Sequence, residues 1–382
     1  MDKLQRNKEL LANLRTILER RGMTQRDLAL LMGKKEAEIS RWMSGKFNVS
    51  RRSQERIEAV LGEPLTADST FHAVEDEIRI GIVGTGDMAD RFLRESRHVK
   101  NVRVVAVFNP DFNLADRFCE GRDPLYPCRS YGELLSVTDA VYVASPLPTH
   151  YGYARTALEN GRHVLCEMPF TETAQEAAEL LKLAAKRNLT ILPALKTAYC
   201  DSFRRMIIMA RSGIIGEVVD VSATVTNLLP ESTTVEFANE RMLENFSYPL
   251  LTFLKLFGLK YRHLNAFFKR EGSKMLFTHA TVEYDNAMGS FKVGIGVKSE
   301  GSLVVSGTKG YIYVPAPWWK PDYFEVRFEN PADNKKFFFP YEEAGLRYEI
   351  QALRDRISRK DAIEYVSREE LLKMIEIQNK IV

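Results

Sequence analysis

Gly84-Thr85-Gly86-Asp87-Met88-Ala89 follows the apolar run 78–83, "IRIGIV", and opens a helical pattern. That spacing is the GxGxxA form of a dinucleotide cradle. The first glycine permits a tight turn, the second lets a pyrophosphate approach the backbone, and Ala89 is small enough for helix and strand to pack. Phosphate would then rest on the amides of a helix N-terminus, with Asp87 and Met88 in its first turn. Twenty residues past Ala89, Asn109 stands where an acid would hold a ribose hydroxyl. With no carboxylate there and Pro110 beside it, neither NAD nor NADP is selected, and "NPD" also reads as a simple turn. Lys196 follows the apolar run "LTILPAL", and ligands gather at the carboxyl ends of strands in such sheets. It reads either as a proton-handling cation or as a surface lysine at a strand end.

Elements able to position these groups alternate along the chain. "VRVVAVF", "DAVYVAS", "RHVLCE" and "LTILPAL" read as strands; "NLADRFCEG", "HYGYARTALENG" and "AQEAAELLKLAAKRN" read as helices. Such alternation predicts a parallel, doubly wound α/β sheet over residues 78–198.

Ahead of it, residues 1–62 hold 14 Lys and Arg against 8 Asp and Glu, while the remainder holds 40 against 43. A small basic module precedes a mildly acidic body. Its residues 7–62 form four helical patterns, with Thr24 and Ser50 as N-caps and Gly22, Gly33, Gly45 and Gly62 as stops. Leu11, Leu14, Ile17, Leu18, Leu28, Leu31, Ile39, Trp42, Ile57 and Val60 recur at helical spacing and can close a mini-core. Residues 63–77, without sustained period, read as a connector.

The four cysteines, Cys119, Cys128, Cys166 and Cys200, have no metal-like spacing and read as inert thiols; no metal is expected. No run approaches a membrane span and the start lacks a signal-peptide core, so a cytoplasmic protein is expected.

Two resemblances sharpen this picture. "GMTQRDLALLMGKKEAEISRWMSGKFNVS" resembles the helix-turn-helix of Cro and lambda-repressor regulators. By that resemblance, the helix from about Lys35 to Met43 enters a major groove. Gln25, Lys34 and Lys46 would meet phosphates of double-stranded DNA, and Lys35, Ser40 and Arg41 would lie closest to base edges. The other reading is a four-helix docking or oligomerisation domain with solvated charges.

"VGTGDMA", "VASPLPTHYGYARTALENGRHVLCEMPF" and "SGTKGYIYVPAPWW" together resemble the glucose-fructose oxidoreductase, inositol dehydrogenase and MocA family over about residues 78–380. The resemblance implies an NAD(P)-binding Rossmann domain, then over 199–382 an α+β domain with an open antiparallel sheet and closing helices at about 343–382. It further implies a sugar or polyol substrate and a homodimer or homotetramer. The family's Glu-Lys-Pro motif reads Glu167-Met168-Pro169 here, so a thioether replaces a lysine that aids proton transfer. The family's second signature, Asp-x-x-x-His, falls on Glu244 and Tyr248, one helical turn apart. Tyr248 is then either a proton donor or an aromatic anchor.

Ser145, Pro146 and His150 match a turn bordering the nicotinamide ribose, although His150 also reads as a helix cap. Lys309 and Gly310 look like a strand turn, and Trp318 and Trp319 are candidates for sugar stacking or an interface. Leu346, Ile350 and Leu353 mark a closing helix. Three functions remain open from these residues: an active NAD(P)-dependent sugar or polyol oxidoreductase with a DNA-binding head, a ligand-sensing transcription regulator that has lost hydride chemistry, or a docking scaffold.

Overall fold

The computed structural model describes residues 3–20, 23–32, 34–61, 65, 77–122, 125–230, 232–358 and 362–382. The chain divides into two compact units, residues 1–145 with 159–164, and residues 146–158 with 165–382.

Four helices lead: α1 (Lys3–Arg20), α2 (Gln25–Met32), α3 (Glu36–Met43) and α4 (Arg51–Leu61). Thr24 and Ser50 cap α2 and α4 as expected, their hydroxyls accepting from the amides of Asp27 (3.2 Å) and Ser53 (3.1 Å). Every apolar residue of the anticipated mini-core is buried. Gly45 takes φ +73° just past α3, where a side chain would be strained. Gly22, Gly33, Gly62 and most of the connector lie outside the described residues. Leu65 is buried and is held to the helices by Glu58 Oε1 (2.8 Å) and Asn13 Nδ2 (2.8 Å).

Next come β1 (Ile78–Val83), α5 (Asp87–Ser96), β2 (Val102–Phe108), α6 (Phe112–Cys119), β3 (Tyr126–Cys128), α7 (Tyr131–Val137), β4 (Ala140–Val143), α8 (His150–Glu159), β5 (His163–Glu167), α9 (Ala174–Arg187) and β6 (Ile191–Ala194). They build a six-stranded sheet of order β3-β2-β1-β4-β5-β6, with β1 parallel to both β2 and β4 and β2 parallel to β3. The strands are almost wholly buried because helices cover both faces, which is why they read as continuous apolar runs. β3 and α7, too short to carry a clear period, escaped the sequence reading.

The rest comprises α10 (Lys196–Tyr199), α11 (Asp201–Arg211), β7 (Val218–Asn227), α12 (Val235–Phe257), β8 (His263–Glu271), β9 (Lys274–Glu283), β10 (Met288–Ile295), β11 (Leu303–Gly307), β12 (Tyr311–Val314), β13 (Tyr323–Arg327), β14 (Lys335–Phe338), α13 (Leu346–Ser358) and α14 (Arg368–Ile381). The strands form one open eight-stranded sheet, β14-β13-β12-β11-β7-β10-β9-β8, antiparallel except where β7 runs parallel to β10. α12 covers one face; a Cβ on Gly289 would meet the Phe253 ring at 2.7 Å, so this close packing needs glycine. Lys309 and Gly310 form the turn between β11 and β12, closed by Gly307 N to Gly310 O at 2.9 Å, and Leu346, Ile350 and Leu353 are buried along α13. Among the described residues no helix is long and apolar enough to cross a membrane.

Candidate functional site

The cradle begins with Gly84. Its φ of +107° and the Ala144 carbonyl oxygen, 2.3 Å from where a Cβ would sit, exclude any side chain. Gly86 is different: nothing lies within 4 Å of its would-be Cβ, so the space above it is open to a ligand. It is the N-cap of α5 and supplies no capping side chain, which leaves first-turn amides available to an anion. Asp87 is exposed and Met88 half-buried in that turn. Asn109 bonds at both ends of its amide: its Nδ2 donates to Thr85 Oγ1 (2.9 Å) and its Oδ1 accepts from Asp111 N (2.9 Å). The turn reading of "NPD" therefore holds, with Asp111 capping α6 through Asn113 N (3.0 Å) and Asn109 bracing the phosphate loop. These features fit a dinucleotide.

A second set of groups lies in the larger unit. Lys196 opens α10, two residues past β6, and its Nζ donates to Tyr248 Oη at 2.9 Å. The Tyr248 hydroxyl donates in turn to Glu244 Oε1 (3.3 Å), one turn earlier on α12, and Arg241 pairs with Glu244 Oε2. Burial pushes the Tyr248 phenol up to about 12 against the opposing pull of the Lys196 ammonium. For Lys196, burial works against the charge, but Tyr248 and Glu244 outweigh it and hold the ammonium protonated. At neutral pH Lys196 is thus an ammonium and Tyr248 a neutral phenol, bonded in series to Glu244.

Met168 is 5% exposed, and its amide donates to Glu167 Oε2 (3.3 Å). The Met168–Pro169 bond is cis, and the Pro169 carbonyl accepts from His150 Nδ1 (2.9 Å), which fixes the proton on that nitrogen. His150 is buried and ties α8 to the loop. Pro146 is exposed, its carbonyl accepting from Thr149 N (2.9 Å), and Ser145 is half-buried.

Trp318 corrects an expectation. It is fully buried, with Nε1 donating to Thr224 O (3.0 Å), and is available neither to a sugar nor to an interface. Trp319 stacks toward the Tyr248 ring, centroids 6.3 Å apart, and its carbonyl accepts from Thr197 Oγ1 (2.7 Å). Sequence reasoning missed two groups near the phenol. Arg241 lies three residues before Glu244 on the same helical face, a spacing that could have revealed it. Tyr341, whose phenol is raised by burial and by nearby Cys200 and Tyr248, had no local signal.

In the head, Gln25, Lys35, Ser40, Arg41 and Lys46 are exposed, Lys35 at the N-cap of α3. Lys34 is half-buried, bonded to Glu38 (2.5 Å) and set over the Trp42 ring (5.3 Å). The four thiols are free, and burial raises each.

A GxGxxA turn on a sheet of this strand order, behind a four-helix basic head, defines a nucleotide-binding Rossmann protein with a helix-turn-helix domain. Residues 78–194 match the oxidoreductase family with an NAD-binding Rossmann fold, and residues 14–67 match the helix-turn-helix family. Residues 78–194 thus carry the NAD-binding Rossmann domain of that oxidoreductase family, with a helix-turn-helix domain ahead of it.

Relatives include a scyllo-inositol 2-dehydrogenase (NADP(+)) of Bacillus subtilis, 29% identical over 34% of this chain and 40% of that one. The chain thus spans about two-fifths of that relative's length. A trans-1,2-dihydrobenzene-1,2-diol dehydrogenase of Bos taurus is 27% identical over 74% of this chain and 89% of that one. A 3-ketoreductase from Actinomadura kijaniata, crystallised with NADP and TDP-benzene, has the same fold: TM-score 0.71 at 20% identity, covering 80% of this chain and 96% of that one.

Proposed function

We propose that the protein is an NADP(H)-dependent reductase of a keto-sugar or a related cyclic ketone, with its own DNA-binding head. The carrying observation is the Lys196–Tyr248 hydrogen bond, which supplies an ammonium where Met168 supplies none. A bound nicotinamide provides the hydride. Tyr248, neutral because burial raises it to about 12, is suited to give a proton to a carbonyl oxygen rather than to take one from an alcohol. Lys196 then returns a proton to the Tyr248 oxygen, and solvent recharges the lysine. Glu244, charge-balanced by Arg241, orients the phenol. His150 positions the Glu167–Pro169 loop, and Ser145, Pro146 and Glu167 belong to the cofactor side of the reaction. NADP and sugar-like substrates named for the relatives support this choice.

The head binds duplex DNA through Gln25, Lys35, Ser40, Arg41 and Lys46. Self-association as a dimer would pair two heads on a two-fold site. The sheet face opposite α12 supports it: Phe267 (73% exposed), Phe338 (71%), Met288, Tyr313 and Tyr323 share that face by register.

The test is reduced-nicotinamide absorbance on a panel of keto-sugars, free and nucleotide-linked, with the native chain and Tyr248→Phe. Turnover in the native chain that falls about 10²- to 10⁴-fold in the variant supports the proposal. Tight nicotinamide binding with no turnover in either would overturn it and favour a regulator that senses without converting.

A further inference from the structure

The head and the β2/β3 edge of the nucleotide sheet enclose a cleft of about 210 Å³. Arg26 and Lys34 of the head line it, with Phe112, Pro127 and Arg129 from the other side; Glu36 and Glu133 complete the charged wall. Register pairs Phe108 with Cys128, so Asn109 and Arg129 each lie one residue past paired strand ends. That edge is where a Rossmann fold reads the adenosine ribose. Phe112 lies three residues beyond Asn109 and its ring carries the Arg129 guanidinium, 4.1 Å from the centroid.

Three cations reach this cleft, against Glu36 and Glu133 of its lining and Glu38 beside Lys34. Glu133 already accepts from Arg129 N (2.7 Å) and faces Arg26 at 4.0 Å. Lys34 gives one of its three protons to Glu38, leaving donors for another partner. The body's own turn, Asn109-Pro110-Asp111, offers no cation for a 2′-phosphate, and its one carboxylate, Asp111, caps α6 through Oδ1.

We propose that this cleft receives the 2′-phosphate end of an adenine dinucleotide, clamped by Arg26 and Lys34 of the head together with Arg129. The head thereby selects NADP(H) over NAD(H). Lys34 is one of the head cations expected to meet DNA phosphates, and Arg26 follows Gln25 at the start of α2, so the two ligands compete for this end of the head. Coupling of this kind is reciprocal: the dinucleotide weakens DNA binding by the factor by which DNA weakens the dinucleotide. The inference rests on the cradle reading above, and its test separates the two.

Calorimetric titration of the full chain with 2′,5′-ADP and with 5′-AMP is the first arm. The native chain should prefer 2′,5′-ADP by about tenfold or more, the scale of one charge-assisted contact. Arg26→Ala and Lys34→Gln should each remove most of that preference and leave 5′-AMP unchanged. Equal affinity for the two nucleotides in the native chain, or a preference untouched by both variants, overturns the cleft and leaves the cradle standing. A native chain that binds neither nucleotide overturns both. In the second arm, anisotropy of a fluorescein-labelled, mixed-sequence duplex should show weaker DNA binding at saturating 2′,5′-ADP and no such effect of 5′-AMP. DNA affinity indifferent to 2′,5′-ADP overturns the competition.

Discussion

Lys196 Nζ reaches the Tyr248 hydroxyl across 2.9 Å, joining the end of one sheet strand to the middle of a helix 52 residues away. The bond sets both protonation states: the ammonium is held charged by the phenol and Glu244, and the phenol is kept from rising further by the ammonium. Removing Lys196 should therefore make Tyr248 a weaker acid as well as an unassisted one. Lys196→Ala is expected to lower kcat of carbonyl reduction by about 10²-fold or more with little change in nicotinamide affinity. Lys196→Arg, which keeps the charge, should recover part of the loss; steady-state kinetics with parallel fluorescence titration reads both.

The two cradle glycines separate fold from function. Gly84→Ala forces a Cβ against the Ala144 carbonyl at positive φ and should destabilise the protein by about 1–3 kcal/mol, lowering Tm. Gly86→Ala meets nothing in the protein and costs about 0.5–1 kcal/mol at an N-cap, yet occupies the space a pyrophosphate needs. We expect a smaller fall in Tm than for Gly84→Ala and NADPH affinity down about tenfold or more. Unchanged affinity would argue against the cradle.

Met168→Lys tests whether the loop wants its missing cation. Burying an ammonium at a 5% exposed position should cost about 1–3 kcal/mol in thermal unfolding. Turnover should not increase, because Lys196 already serves the phenol. A marked rise in turnover would instead identify Met168 as the reason the native protein is slow.

On the head, Arg41→Ala and Lys46→Ala remove exposed cations and leave the buried Ile39, Trp42 and Met43 in place. Each should weaken duplex binding and reduce the slope of log affinity against log salt by about one. Salt-independent binding would point to a docking module instead.

Arg79 and Asp139 tie the start of β1 to the residue before β4 by a two-pronged ion pair of 2.9 and 2.7 Å. Burial raises the Asp139 carboxyl, but Arg79 outweighs it and holds it below the usual range. A depressed carboxylate contributes stability that is present above its unfolded pKa of about 3.9 and is lost as pH falls through the lower native value. Asp139→Asn should therefore cost about 1 kcal/mol at pH 7, after allowance for partial exposure, and nothing once both forms are protonated. Denaturant titrations at neutral and acid pH check the sign.

What the chain declares locally is legible in the sequence alone. The alternation of "VRVVAVF", "DAVYVAS" and their helices fixed a parallel sheet, because burial on both faces makes such strands uniformly apolar. Thr24 and Ser50 announced their helices, because a cap acts within three residues. The glycines of the cradle were readable for the same reason: a turn that tolerates no Cβ is a property of a few adjacent residues.

Tertiary structure decided matters that no local pattern encodes. Sequence left Lys196 open between a surface lysine and a functional one, and only the packing of α12 against the segment after β6 brings Tyr248 to it. Trp318 and Trp319 are neighbours in sequence, yet the sheet buries the first against Thr224 and turns the second toward the phenol. Asn109 stands where a ribose reader would, and the fold also brings its amide to Thr85. The physical reason is common to all three: periodicity and turn chemistry depend on neighbours along the chain. The partner a polar side chain finds depends instead on which distant segments pack beside it.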